Sequence, residues 1–318
     1  MKNFVSIIGT VFVDCKGFAK QAYLPHGRNL GSIQFVHGGV GRNVVENMAR
    51  LELNTAFVST IDSSGLGIEI KQRLENVRVD TAFLKQANEG MGMWLAVLDE
   101  AGDLAGSISQ MPDLASLQSI IAESGKSIVE RSSHIVLELD LNEQISSNVL
   151  AMAAKLHKPV YGIPGNLDVV LKNRSLLNNL ECFICNDVEA ERLLGNSFGS
   201  LAIEDMLQEL ISFVNAAGMR SMVITLGGNG SLYYDSVTKE QGHQPVFPVQ
   251  IVDTSGAGDA YFSGTVMGLV RGLSLGQAVI CGTKVAGWTI ESQENNCLDL
   301  QAKTSQDDYF QKMLYKLN

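Results

Sequence analysis

Val252-Asp-Thr-Ser-Gly-Ala-Gly-Asp-Ala260 runs directly into the apolar stretch Tyr261 to Val270. The switch from small turn-forming residues to a continuous apolar run predicts a tight loop that opens a buried helix. At Gly256, Ala257 and Gly258 the side chains are small enough for successive backbone N–H groups to converge. The helix that follows adds its N-terminal partial charge, and the two together make an anion hole suited to a phosphoryl group. Asp259 stands at its mouth, where a carboxylate can accept the proton of an attacking hydroxyl. The competing reading is a plain tight turn with Asp259 as a helix cap.

Outward from this turn, short β-like runs alternate with helical patterns along most of the chain. Strands are predicted at Val5–Ile8, Ala56–Ile61, Trp94–Leu98, His134–Leu139, Pro159–Ile163, Cys182–Cys185, Met222–Leu226 and Leu232–Asp235. Ile203, Met206, Leu207, Leu210, Ile211 and Val214 recur three and four apart and form one apolar helical stripe; Ile145, Val149, Leu150 and Leu156 form another. Strand, helix, strand at this rhythm builds right-handed crossovers and a mainly parallel sheet with helices on both faces. Two segments break the rhythm. Residues 11–37 are rich in turn-formers, and 91–109 read as two strands joined around Glu100-Ala-Gly102. A small inserted sheet over one end of the α/β core accommodates both. No long linker or internal repeat divides residues 1–318, so a single domain is expected.

Composition narrows the function classes. The 318 residues are 45% apolar and 18% charged, enough for a large core, with a formal charge of −10. That acidity argues against nucleic-acid and membrane-surface partners, since neither phosphate backbones nor anionic lipid would be attracted. Phe4 to Val13 resembles the apolar part of a leader, but it runs into Asp14, Cys15 and Lys16 without a small-residue cleavage site, so a first buried strand is expected. Five cysteines, an odd number, point to reduced thiols and a cytoplasmic location. Cys182 and Cys185 have CxxC spacing but lie inside an apolar strand-like run, which favours two core thiols over a metal or redox pair.

A second glycine-rich stretch is His37-Gly-Gly-Val-Gly-Arg-Asn-Val44, which opens a helix with Val44, Val45, Met48 and Leu51 inward. Asn43 can offer a donor and an acceptor to a polyol, and reads equally as an ordinary N-cap. Two other phosphate motifs fail on spacing. GxGxxG from Gly256 would need glycine where Tyr261 stands, and a Walker A loop ending at Gly125-Lys126-Ser127 would need glycine at Ile120.

Gly38-Gly-Val-Gly-Arg-Asn43 and Asp253-Thr-Ser-Gly-Ala-Gly-Asp259 together resemble the two hallmark motifs of the ribokinase (PfkB) family of carbohydrate and nucleoside kinases. Three further elements match in order. Asp14 follows the first strand where the family places a substrate-binding Asp. Asn186-Asp-Val-Glu189 resembles the element that organises Mg²⁺ and phosphate through water. Thr225-Leu-Gly-Gly-Asn-Gly230 resembles the nucleotide-binding loop. The resemblance implies a ribokinase-like, Rossmann-type three-layer α/β core with a β lid, and an ATP- and Mg²⁺-dependent kinase acting on the primary hydroxyl of a sugar or nucleoside. Asp259 is implied as the base, with Gly256, Ala257 and Gly258 as the anion hole. Asp14, Gly38, Gly39, Arg42 and Asn43 are implied as substrate contacts. Asn186, Thr225, Gly227, Gly230 and Asn295 fall to the nucleotide, and Glu189 to Mg²⁺ through water. A monovalent cation such as K⁺ would map to Asp253 and Ser255, two residues that read equally as turn-formers. Relatives often pair their lids, which implies a homodimer.

Arg42, Asp140-Leu-Asn142 and Asn295-Asn296 are more similar to the pseudouridine-kinase branch than to typical ribokinases. This makes a pseudouridine-like substrate the leading expectation, with Asp140 and Asn142 as contacts and Glu138 as a competitor for the role of Asp140. A fructokinase- or ribokinase-type sugar kinase is the alternative within the class. A non-catalytic sugar or nucleoside sensor is the alternative outside it, disfavoured by the intact Asp259 turn. Two positions depart from the pattern: Ile163 precedes Pro164 where many relatives carry Asp, and Cys185 replaces the usual Pro before Asn186.

Overall fold

The computed structural model describes residues 3–139, 141–165 and 167–314. Its strands are β1 (Phe4–Ile8), β2 (Phe12–Ala19), β3 (Gly31–Gly38), β4 (Asn54–Ile61), β5 (Leu84–Gln86), β6 (Gly92–Leu98), β7 (Leu104–Gln110), β8 (His134–Glu138), β9 (Val160–Ile163), β10 (Cys182–Asn186), β11 (Ser221–Thr225), β12 (Ser231–Asp235) and β13 (Gln241–Gln244). The helices are α1 (Val40–Arg50), α2 (Gly65–Asn76), α3 (Ala115–Arg131), α4 (Glu143–Lys155), α5 (Asp168–Lys172), α6 (Asp187–Leu194), α7 (Ile203–Ala217), α8 (Ala257–Val270), α9 (Leu275–Ile290), α10 (Leu300–Gln306) and α11 (Asp308–Leu314).

The larger sheet runs β13-β12-β11-β10-β9-β8-β1-β4-β5, parallel from β11 through to β5, with β12 and β13 antiparallel at one edge. Alternation along each central strand feeds two cores. Val5, Ile7, Val136, Cys182 and Ile184 meet α1, α8 and α9 on one face, while Ile8, Ile135, Leu137, Phe183 and Cys185 meet α3, α4 and α7 on the other. Cys182 and Cys185 therefore point into opposite layers, and burial raises both thiols above their ordinary range. They are core residues. Helix α8 is apolar nearly all round because it lies between sheet and α9. Among the described residues no helix is long and apolar enough to cross a membrane.

The two irregular segments supply a separate four-stranded sheet, β3-β2-β6-β7, with β6 and β7 forming the expected hairpin. Register sets Asp14 beside Val36 and Trp94 on one face, and aligns Phe35, Cys15, Leu95 and Ile108 in a row on the other. Ile33, Phe35 and Ile108 on that second face are largely exposed.

Connectivity makes β1 the pivot. The chain passes from β1 to β4 and β5 on one side, then returns to β8 and continues to β11 on the other. In such sheets the crevice for ligands lies beyond the carboxyl ends of the strands flanking the reversal, here β1 and β8.

Candidate active site

At that reversal, a cleft of about 320 Å³ is lined by Thr10, Phe12, Asp14, Gly38, Gly39, Val40, Asn43, Glu138, Gly165, Ser255, Gly256, Asp259 and Asn295. A second cleft, of about 140 Å³, is lined by Ile163, Pro164, Ile184, Cys185, Asn186, Glu189, Thr225, Gly258 and Asp259. Asp259 borders both. The first cleft gathers Asp14, Gly38, Gly39 and Asn43, expected on the acceptor side, and the second gathers Asn186, Thr225 and Glu189, expected on the phosphate-donor side.

The turn that opens α8 explains the position of Asp259. Asp253 Oδ1 accepts the Ser255 N–H at 2.8 Å, and Ala257 N–H turns back to the Thr254 carbonyl at 3.2 Å. Gly256, at φ 76°, is the N-cap, so Asp259 is the third helical residue and not the cap. The N–H groups of Gly258 and Asp259 make no hydrogen bond among the described residues, as first-turn amides do when nothing caps them. Of the three residues expected to form the anion hole, Ala257 has its amide engaged by the Thr254 carbonyl, while the Gly256 and Gly258 amides make no hydrogen bond among the described residues.

Asn43 Nδ2 donates to Asp259 Oδ2 at 2.7 Å. Asn43 lies within the first turns of α1, whose N-cap is Gly39, so the N-cap reading of Asn43 does not hold. Desolvation raises the Asp259 carboxyl to about 7; Glu138 and Glu189 push the same way, and the Asn43 hydrogen bond and the Arg42 charge oppose them. A carboxylate titrating near neutrality beside two free helix amides is suited to taking a hydroxyl proton while a phosphoryl group is held.

Glu138 ends β8 on the α1 face, as alternation with Leu137 predicts. It accepts Thr10 N–H at 2.7 Å, Thr10 Oγ1–H at 2.8 Å and Gly41 N–H at 3.0 Å. Burial raises its carboxyl, and these donors hold it down. Glu138 thereby joins β1, α1 and β8 at the cleft floor. Asp140, its competitor, lies outside the described residues.

Asn186 and Glu189 form a reciprocal capping box at the start of α6. Asn186 Oδ1 accepts the Glu189 N–H at 2.8 Å, and Glu189 Oε2 accepts the Asn186 N–H at 2.9 Å. Desolvation raises the Glu189 carboxyl. One of its oxygens is taken by the box, which suits contact with a hydrated Mg²⁺ better than inner-sphere ligation, because Mg²⁺ keeps several waters. Among the described residues no group of three or more His, Cys, Asp or Glu is placed to hold a metal ion. Thr225 ends β11, and Gly227 opens the single 3₁₀ turn that Gly230 closes.

Three expectations are corrected. Arg42 is not a substrate contact: its guanidinium is buried and engaged by Glu46, Asn296 and the carbonyls of His37 and Gly38. Asn142 caps α4, accepting the Ile145 N–H at 2.9 Å and donating to Gln118, and does not line either cleft. Asn295 lies in the acceptor cleft, not with the nucleotide group, and donates to the His37 carbonyl at 3.1 Å. Thr10 and Phe12 also line the cleft, and the one sequence signal for them is their place just after the first strand of a parallel sheet.

Comparison with known proteins shows the family and the fold. Residues 2–299 match the family described as pfkB family carbohydrate kinase. The guanosine-inosine kinase of Exiguobacterium acetylicum is 33% identical over 92% of this chain and 96% of its own. The pseudouridine kinase of Escherichia coli K12 is 26% identical over 94% of each. The ribokinase of Arabidopsis thaliana, solved with ribose and ATP, superposes with a TM-score of 0.80 at 20% identity, covering 100% of this chain and 99% of that one.

Proposed function

This chain belongs to the pfkB family of carbohydrate kinases, phosphotransferases acting on hydroxyl groups, and from that premise we propose that it transfers the γ-phosphoryl group of ATP to the 5′-hydroxyl of a ribosyl nucleoside. The observation that carries the reading is Asp259, held by Asn43 at 2.7 Å where the two clefts meet. A nucleoside is favoured over a free sugar by the two relatives described above, the guanosine-inosine kinase and the pseudouridine kinase, both nucleoside kinases by name.

In this reading the acceptor oxygen attacks the γ-phosphorus, the bond to the β–γ bridging oxygen breaks, and the hydroxyl proton passes to Asp259. The Gly258 and Asp259 amides hold the transferred group. Mg²⁺ neutralises phosphate charge when bound, and Glu189 and Asn186 would hold its water shell. The test is a phosphorylation screen with ATP over guanosine, inosine, pseudouridine, uridine, adenosine, ribose and fructose. Turnover of fructose with none of any ribosyl nucleoside would refute the nucleoside assignment. Titrating Mg²⁺ in the same assay, Glu189→Gln should need about 10–100-fold more metal or lose activity on that scale; an unchanged Mg²⁺ response would misplace the metal role.

The outer lid face supports a second element of the proposal, a homodimer. Phe35, Leu95 and Ile108 form one exposed apolar row with open sheet edges at β3 and β7. Light scattering should give twice the chain mass, and Phe35→Lys combined with Ile108→Lys should give a monomer. A wild-type monomer at all concentrations would sink it.

A further inference from the structure

Behind the acceptor cleft lies a buried ionic cluster that the chemistry above does not use. Glu46 is fully buried in α1 and receives three guanidinium groups. Arg42 Nη1 is 2.8 Å away, Arg50 Nη2 2.8 Å, and Arg73 Nε 3.0 Å. Each arm also reaches the segment 294–298. Arg42 Nη1 donates to Asn296 Oδ1 at 2.9 Å, Arg50 Nη1 to the Leu298 carbonyl at 2.6 Å, and Arg73 Nη1 to Glu294 at 3.2 Å. That segment has no helix or strand of its own.

The same segment backs the phosphoryl site. Gly256 lies so close to it that an added Cβ would stand 2.1 Å from the Asn295 carbonyl oxygen. Asn295 lines the cleft, and Asn296 Nδ2 donates to the Asn43 carbonyl at 2.9 Å. On its other side Arg42 grips the end of lid strand β3, donating to the His37 carbonyl, which also accepts from Asn295 Nδ2. One side chain therefore touches the lid junction, the segment behind the anion hole and the carboxylate that balances it.

We propose that Arg42, fixed by Glu46, is a positioning residue that ties the lid end of β3 to the 294–298 segment and so sets the Gly256 turn and Asn43 relative to each other. A buried ion pair is poor evidence for stability, since apolar groups of like volume often serve as well. What apolar groups cannot supply is a fork of directed donors reaching three separate backbone or side-chain acceptors. Lysine keeps the charge opposite Glu46 but loses the fork.

The inference rests on the kinase reading, and the experiment separates the two. If wild-type enzyme phosphorylates no acceptor, the kinase reading fails; hydrogen exchange still tests the tie. Arg42→Lys should stay folded, lower kcat at least tenfold with acceptor KM changed less, and speed exchange at 294–298 and 37–39 selectively. Asn296→Ser, which leaves every charged group in place, should likewise lower kcat and speed exchange at 294–298. The double variant should lose less than the sum of the two singles, because the Arg42–Asn296 bond is cut in both. Should Arg42→Lys fail to fold, Asn296→Ser carries the test. A lower melting temperature with kcat within threefold of wild type and unchanged local exchange would make the cluster merely structural and overturn the proposal.

Discussion

Asp259→Asn is expected to lower kcat by about 10²–10⁴-fold, the contribution of a positioned general base and roughly 3–5 kcal/mol of barrier. Asn keeps the side-chain volume and can still accept the Asn43 hydrogen bond, but its amide cannot hold the acceptor's proton. The Gly258 and Asp259 amides belong to the backbone and remain, so calorimetric binding of nucleoside should change little. The alternative role as a helix cap is removed by geometry, since Gly256 caps α8 and Asp259 lies three residues further on. The pH profile offers an independent check. Burial, with Glu138 and Glu189 nearby, lifts the Asp259 carboxyl to about 7. Below that pH the base is protonated and cannot accept, so kcat/KM should rise through about pH 7 and level off above it. The Asn variant should lose this ascending limb. A variant kcat within about threefold of wild type, well short of the general-base range, would leave the mechanism without its base.

Gly256→Ala is expected to lower kcat by about 10²-fold or more, the order that an ångström of misplacement at a reacting centre can cost. Gly256 has φ 76°, a conformation that costs an alanine roughly 1–2 kcal/mol. Its Cβ would also stand 2.1 Å from the Asn295 carbonyl oxygen, a backbone atom that cannot rotate aside. The turn must shift, and the Gly258 and Asp259 amides shift with it. Gly102→Ala is the matched control: φ is 87° in the lid hairpin, and nothing lies within 4 Å of the added carbon. Both variants should melt at lower temperature than wild type, but only Gly256→Ala should lose phosphorylation. Equal activity in the two would show that the turn is not held against the 294–298 segment.

The sequence alone determined what depends on near neighbours. Short apolar runs located the central strands β1, β4 and β8–β12 to within two residues at either end, because a strand buried on both faces must be apolar regardless of its partners. The Asp253–Asp259 turn was equally legible, since small residues followed by an apolar run dictate a tight turn into a buried helix. The short peripheral strands β5 and β13, Leu84-Lys-Gln and Gln241-Gly-His-Gln, have too little apolar pattern to signal a strand.

Only the tertiary structure decided where polar side chains end up. Arg42 stands in the acceptor motif, so its residue type and position suggested a ligand contact, yet its partner Asn296 is 254 residues away and draws it inward. Asn142 caps α4, and Asn295 is held in the acceptor cleft by the carbonyl of His37, 258 residues away. A hydrophobic pattern is satisfied by any apolar surroundings. A buried charge or amide needs particular donors and acceptors at particular distances, and these are brought together only when distant segments of the chain meet.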